Sequence, residues 1–274
     1  MRKKWMYILI VPAFTLILVF LIIPILNSIL PTFYNNGLSF KSYLDFFKDT
    51  FYMKVFYRTL KLALISTVIC MVMGVPTSYY ISRSKASIRG TLIALITFPL
   101  LTNSVVRSFA WITILGTNGV LNKFLLNFNL IHQPLKLLYT EFAIIIGSVY
   151  LFLPVMITSL VGVMEQIEEE VLEAAQSLGA NRFTTFMKVV FPLCVPGLIV
   201  GSVLVFTGAA SAYSTPQLLG GNKNMVMATL IYQKAMTLSD WQGASLIAAI
   251  MIVASVLVIN IINKLAARLN ERGV

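Results

Sequence analysis

Glu173-Ala174-Ala175-Gln176-Ser177-Leu178-Gly179, continuing through Arg182 and Lys188 to Val189-Val190-Phe191-Pro192, is the longest polar island in an otherwise apolar chain. Just ahead of it stand Glu165, Glu168, Glu169 and Glu170, so with Glu173 half of the chain's ten acidic residues fall between positions 165 and 173. Carboxylates at that density do not belong in hydrocarbon, which makes residues 165–192 an aqueous loop. Within it Val171, Ala174, Ala175 and Leu178 recur at i, i+3, i+4 and i+7, the spacing of one helix face. The face is narrow and mostly small, as suits a surface gripped by another protein. The glutamates lie at the start of this helix, where they complement its positive end, and Gly179 is placed to stop it as a left-handed cap. A second short helix begins near Asn181, with Phe183, Phe186, Met187 and Val190 as its apolar side, before Pro192 and the next apolar run. The spacing predicts a two-helix elbow standing out of a bilayer.

The rest of the chain agrees with a bilayer. Of its 274 residues 58% are hydrophobic and 11% charged, outside the range of soluble domains. Six apolar runs, about residues 7–30, 59–81, 91–115, 142–164, 193–213 and 245–262, each approach the roughly 20 residues a helix needs to cross hydrocarbon. The first is read as a retained span; a cleavable signal peptide is the competing reading, but the run is too long and lacks a clear small-residue cleavage site. The predicted fold class is therefore an all-α integral membrane protein of six transmembrane helices, with residues 1–274 forming a single transmembrane domain.

The net charge of +11 is spread along the chain, with no long basic cluster to hold nucleic acid. Arg2, Lys3 and Lys4 precede span one, Arg83, Lys85 and Arg89 fill the loop after span two, and Lys264, Arg268 and Arg272 follow span six. By the positive-inside rule these face the cytoplasm, as do both termini and the acidic loop. Longer segments, about residues 31–58, 116–141 and 216–243, then face outward. Cys70 and Cys194 lie in or beside apolar runs and support neither a disulfide framework nor a zinc site; His132 has no ligand-type neighbours for a metal. No Gly-x-x-x-x-Gly-Lys-Ser/Thr sequence occurs, so ATP and Mg, if used, are bound by another chain.

Polar residues inside the spans are candidates for a pathway. Asn103, Arg107 and Trp111 recur every four residues, with Ser104 and Ser108 beside them, and this stripe either lines a path or glues helices together. Arg107 is near the outer end of its span and has the interface as its alternative. Span five ends in the small, polar run from Thr207 to Pro216, containing Ser211 and Tyr213, which either packs tightly or borders water. Gly197 and Gly201 form a Gly-x-x-x-Gly pair suited to helix packing. Tyr150 is a core aromatic or a substrate contact.

The elbow resembles the signature loop of permease subunits from binding-protein-dependent ABC importers: Glu-Ala-Ala, three residues, Gly, nine residues, then Ile-x-Leu-Pro. Glu173, Ala174, Ala175, Gly179 and Pro192 match at the right spacing, whereas Val189 and Phe191 replace the isoleucine and leucine. Leu101-Thr102-Asn103-Ser104, Arg107 and the run from Ser211 to Gly221 look like the spermidine/putrescine branch of these permeases, although relatives importing other small solutes carry similar runs. The resemblance implies a type I ABC importer permease of the bacterial inner membrane that catalyses nothing itself. It also implies a second permease subunit, two ATPase subunits and an extracytoplasmic binding protein, with Glu173, Ala174, Ala175, Gly179, Phe183 and Pro192 coupling to the ATPase. Opine, iron, thiamine or phosphonate uptake are the alternatives of the same class. An ion-coupled secondary transporter is the rival from another class, but apart from Arg107 the central spans hold no ionisable residue of the kind such proteins use. An intramembrane enzyme finds no credible metal cluster, serine-histidine pair or aspartate dyad.

Overall fold

The computed structural model describes residues 11–12, 14–34 and 40–270, the side chains of 265–270 excepted. Arg2, Lys3, Lys4, Arg272 and the beginning of the first span lie outside the described residues, as does the side chain of Arg268. The described chain is almost entirely helical. In order it contains α1 (Phe14–Phe33), α2 (Lys41–Lys48), α3 (Thr50–Ser82), α4 (Ala86–Leu101), α5 (Ser104–Leu115), α6 (Val120–Asn127), α7 (Glu141–Met164), α8 (Glu169–Ser177), α9 (Arg182–Ser211), α10 (Met227–Tyr232) and α11 (Trp241–Asn270). Six stretches are long and apolar enough to cross a membrane: α1, α3, Ser104–Asn127, α7, α9 and Trp241–Lys264.

Five of these correspond to predicted spans, and the third is corrected. The run at 91–115 is not one helix, because Thr102 and Asn103 adopt extended backbone between α4 and α5. The cause is local side-chain competition for the main chain. Asn103 Oδ1 accepts from the Val105 N–H at 2.8 Å, capping α5, and the Thr102 hydroxyl donates to Pro99 O at 2.8 Å.

Contacts group the chain into two compact units. One comprises the described residues up to 54 together with 230–253. Here Phe33 stacks on Tyr43 at 4.9 Å, and the Tyr43 hydroxyl meets that of Thr32 at 2.6 Å. Lys234 pairs with Asp240 at 3.0 Å beneath the ring of Tyr52. The Gly243 N–H and the Lys234 ammonium hold the Asp240 carboxyl below its usual range, and the same pairing raises Lys234.

The other unit, residues 55–229 and 254–270, is built on the close pairing of α7 with α9. Cys70 of α3, Met156, Leu160 and Met164 of α7, and Cys194, Leu198 and Val205 of α9 form its main buried cluster. A β-carbon at Gly197 would lie 3.0 Å from Ser159 O, and one at Gly201 would lie 2.7 Å from Met156 Sδ. The Gly-x-x-x-Gly pair thus brings two backbones of the same chain together, as its packing reading predicts. α4 leans on α7 through Ile93 and Ile96 against Ile157 and Val161.

Two π-helical turns share one cause. Residues Leu18–Ile22 and Phe186–Val190 each close with an N–H five residues on, from Ile23 to Leu18 O and from Phe191 to Phe186 O. In each, the residue whose N–H closes the turn is followed directly by a proline, Pro24 or Pro192. A proline supplies no N–H and crowds the carbonyl four residues back, and the wider turn relieves both problems without breaking the helix. Pro192 therefore does not separate the second elbow helix from the span, as its position predicted. The elbow runs on into α9 as one continuous helix.

Candidate functional site

The elbow is built by two capping motifs. At the end of α8 the Gly179 N–H donates to Gln176 O at 2.9 Å and the Ala180 N–H to Ala175 O at 3.1 Å, with Gly179 at φ +88°. This is a Schellman ending, and the left-handed residue it needs is the predicted glycine. Two residues on, Asn181 Oδ1 accepts from the Thr184 N–H at 2.8 Å and starts α9. Glu169 and Glu170 occupy the first turn of α8, next to its positive end.

What holds the elbow in place is a residue the periodicity missed. Leu172 is buried with Ile167 and Val190, against Tyr79, Phe186 and Val189. Leu172 sits about 100° around the helix from Val171, off the face traced by Val171, Ala174, Ala175 and Leu178. That face therefore stays outward: Leu178 is 90% exposed, and Glu173 and Ala174 are exposed while Ala175 is half-buried. The predicted apolar side of the second helix divides. Phe186 and Val190 turn inward, whereas Phe183, 73% exposed, and Met187 turn outward beside Leu178 in the sequence order of the elbow. Phe186 is held inward by Tyr79, which meets its ring edge to face at 5.0 Å, and Val190 by Ile167 and Leu172.

The elbow lies at the same end of the unit as the basic loop after α3. Arg89 Nε is 3.3 Å from Glu165 Oε1, and the Arg83 guanidinium donates to Ile167 O at 3.0 Å. At the other end of α7, Glu141 is paired with both Arg58 and Lys61, and Arg58 also donates to the carbonyls of Lys223 and Met225.

The predicted pathway residues separate into groups. Trp111 and Tyr150 meet edge to face with ring centres 5.6 Å apart, Tyr150 being 38% exposed. The Ser104 hydroxyl lies 3.4 Å from that of Ser214, which brings the start of α5 beside the residue following Tyr213. Asn103 is exposed, but its Oδ1 is committed to the α5 cap. Ser211 donates within its own helix to Thr207 O at 2.8 Å, and α9 ends there, leaving half-buried Tyr213 beyond the helix. The run from Pro216 to Gly220 is a π turn packed on α7: Thr215 and Leu219 fill the space above Gly147, and Leu219 O accepts from the Tyr139 N–H at 2.9 Å.

Arg107 turns back toward the break between α4 and α5. Its side chain is buried, and Nη1 donates to Pro99 O at 2.9 Å and to Thr102 O at 3.2 Å. The break between α4 and α5 frees these carbonyls; Arg107 satisfies that of Thr102 and shares that of Pro99 with the Thr102 hydroxyl. Leaving a buried carbonyl unpaired costs about 1–3 kcal/mol. Arg107→Met is therefore expected to lower the thermal midpoint of the purified chain in detergent by several degrees, with Arg107→Lys intermediate. An unchanged midpoint would mean that Arg107 does not hold the break together.

A polytopic helical bundle, a doubly capped elbow with an outward apolar face and a flanking basic loop together define a permease subunit of the ABC-importer class. Residues 63–271 match the binding-protein-dependent transport system inner membrane component family, and the chain belongs to it. The chain is 35% identical over 193 residues to the spermidine/putrescine transport system permease protein PotB of Escherichia coli (strain K12), 70% of each chain. To PotB of Haemophilus influenzae it is 32% identical over 240 residues, 88% of this chain and 84% of that one. In fold it is similar, at TM-score 0.81 and 18% identity, to a chain of the bacterial alginate ABC transporter crystallised with an alginate pentasaccharide-bound periplasmic protein, covering 100% of this chain and 97% of the other. The protein is thus a multi-pass inner-membrane transport subunit and not an enzyme.

Proposed function

We infer that this permease takes up polyamines delivered by an extracytoplasmic binding protein, working with a second permease subunit and two ATPase subunits that bind ATP and Mg. The outward face of the elbow carries the reading: Leu178 and Phe183 are large apolar groups on a loop too acidic for lipid, and Ala174 beside them permits close approach. An ATPase seated there on ATP closure would move the elbow, and with it the start of α9. The bundle would then change the side to which its path opens. Such driving requires that the ATPase bind the elbow differently in the two states.

The polyamine assignment is supported by the likeness to PotB. Glu141 and Asp240 are each paired with cations, so neither is a free carboxylate for a polycation. Aromatic faces are a further attraction for ammonium groups, and Trp111, Tyr150 and Tyr213 supply them. Weak contacts of this kind suit a substrate that has to leave again. Tyr213→Ala is expected to lower radiolabelled spermidine uptake severalfold in a strain lacking other polyamine importers, with complex assembly intact and Tyr213→Phe milder. Normal uptake by Tyr213→Ala would remove Tyr213 from the path. No uptake by the unmutated complex, with its own binding protein present, would sink the polyamine reading.

Orientation follows from the basic loops. A cysteine at Ser87 or Ser177 should be shielded from impermeant thiol reagents in intact cells, and one at Asn129 or Asn222 should react. Labelling in the opposite sense would place the elbow outside and end its docking role.

A further inference from the structure

The loop after α3 is joined to the elbow by one side chain that lies outside the signature stretch. Arg83 follows α3 directly, and its two terminal nitrogens donate to Ile167 O at 3.0 Å and Met164 O at 3.4 Å, at the close of α7 and the approach to α8. Its guanidinium carbon lies 5.9 Å from the centre of the Tyr79 ring. Tyr79 in turn meets Phe186 of α9 edge to face at 5.0 Å, and both rings pack on the buried trio Ile167, Leu172 and Val190. Starting from Arg83, contacts therefore run without interruption to the end of α7, to Leu172 of α8 and to the first turns of α9. The ion pair of Arg89 with Glu165 adds a tie from α4.

Stability alone does not account for this arrangement. Among the described residues Arg83 faces no carboxylate within ion-pair range, and its buried Nε has no partner. A half-buried cation with no opposite charge and one buried nitrogen unpaired adds little to stability, since desolvation offsets what its bonds return. What a guanidinium does supply is a forked donor set that suits two carbonyls on one helix end, together with a charge that complements that end. It fixes direction as well as distance. Of the α8 side chains it is Leu172 that enters this cluster, among Ile167, Val190, Tyr79, Phe186 and Val189, and a load applied at Leu178 would otherwise tilt α8 about it.

We propose that Arg83 is a positioning residue that makes the elbow and the adjoining ends of α3 and α7 move as one body, so that motion imposed at the elbow reaches the bundle. The proposal rests on the reading of the elbow as the ATPase contact. The test uses the assembled transporter with both permeases and its ATPase subunits. Spin labels are placed at Ser87→Cys and Glu169→Cys, both exposed positions, while Cys70 and Cys194 are buried. In the otherwise unmutated complex the distance distribution between the labels is expected to be narrow and to keep its mean and width when ATP is added. Arg83→Met should broaden it and lower substrate uptake per ATP hydrolysed about tenfold, within the usual range for coupling between sites. Arg83→Lys, which keeps the charge and a donor for the carbonyls, should restore more than half of both. The proposal is overturned if Arg83→Met keeps the narrow distribution, or if its uptake falls only in proportion to lost ATPase subunits. Absence of ATP-driven uptake in the unmutated complex would instead sink the functional reading, and the label distances would still report whether Arg83 holds the elbow.

Discussion

Gly179→Arg is expected to abolish uptake while leaving the chain folded and inserted. The two consequences separate because of where Gly179 stands. Its backbone is left-handed at φ +88°, yet a β-carbon there would meet nothing within 4 Å of its own chain. Within the subunit the substitution therefore brings only backbone strain, about 1–2 kcal/mol, and a modest fall in thermal midpoint. Between subunits it places a long cation at the corner of the elbow, beside the exposed Leu178. Truncating or blocking the centre of an interface commonly removes 2–4 kcal/mol, so ATPase association and uptake should both drop at least about thirtyfold. Gly179→Ala is the control, since it introduces the strain without the bulk and should retain most transport. Binding-protein-stimulated ATP hydrolysis by the reconstituted complex is the measurement. Arginine at the unmutated level of stimulation would show that the elbow is not the docking face.

Gly197→Leu should fail at an earlier stage, in folding. A β-carbon at this position lies 2.9 Å from Val163 Cγ2 and 3.0 Å from the carbonyl of Ser159, and a main-chain oxygen on α7 cannot rotate away as a side chain can. The helices have to separate, which loosens the cluster of Met156, Leu160, Cys194 and Leu198 that their approach creates. Overpacking of this kind costs about 1–3 kcal/mol and sometimes more, so the thermal midpoint should fall by about 5–10 °C and the yield of inserted protein with it. Gly162→Leu on α7 provides the comparison, because its β-carbon would meet nothing within 4 Å. Equal midpoints for the two variants would mean that the α7 and α9 backbones are not in close contact.

Much of this protein was legible in the order of its residues. Apolar runs of membrane length, the acidic island at 165–173, the glycine that ends α8 and the asparagine that starts α9 are all properties of short stretches, and short stretches carry their own physics: hydrocarbon solubility, cap hydrogen bonds, left-handed backbone. The positive-inside pattern likewise put the Arg83–Arg89 loop on the side of the elbow, and the pairing of Arg89 with Glu165 agrees. Tertiary structure alone decided the rest, because each remaining feature depends on what a side chain meets across the bundle. Asn103 and Arg107 lie four residues apart and read as one stripe, yet the first caps α5 and the second turns back to carbonyls freed by the break at Thr102. Leu172 is one leucine among many until Ile167, Tyr79 and Val190 close around it. Phe183 and Phe186 share a predicted face, yet Tyr79 and the cluster around Leu172 draw the second inward while the first stays exposed. The small residues of α9 could have served any close approach, and it is Met156, Ser159 and Val163 of α7 that show which helix makes it.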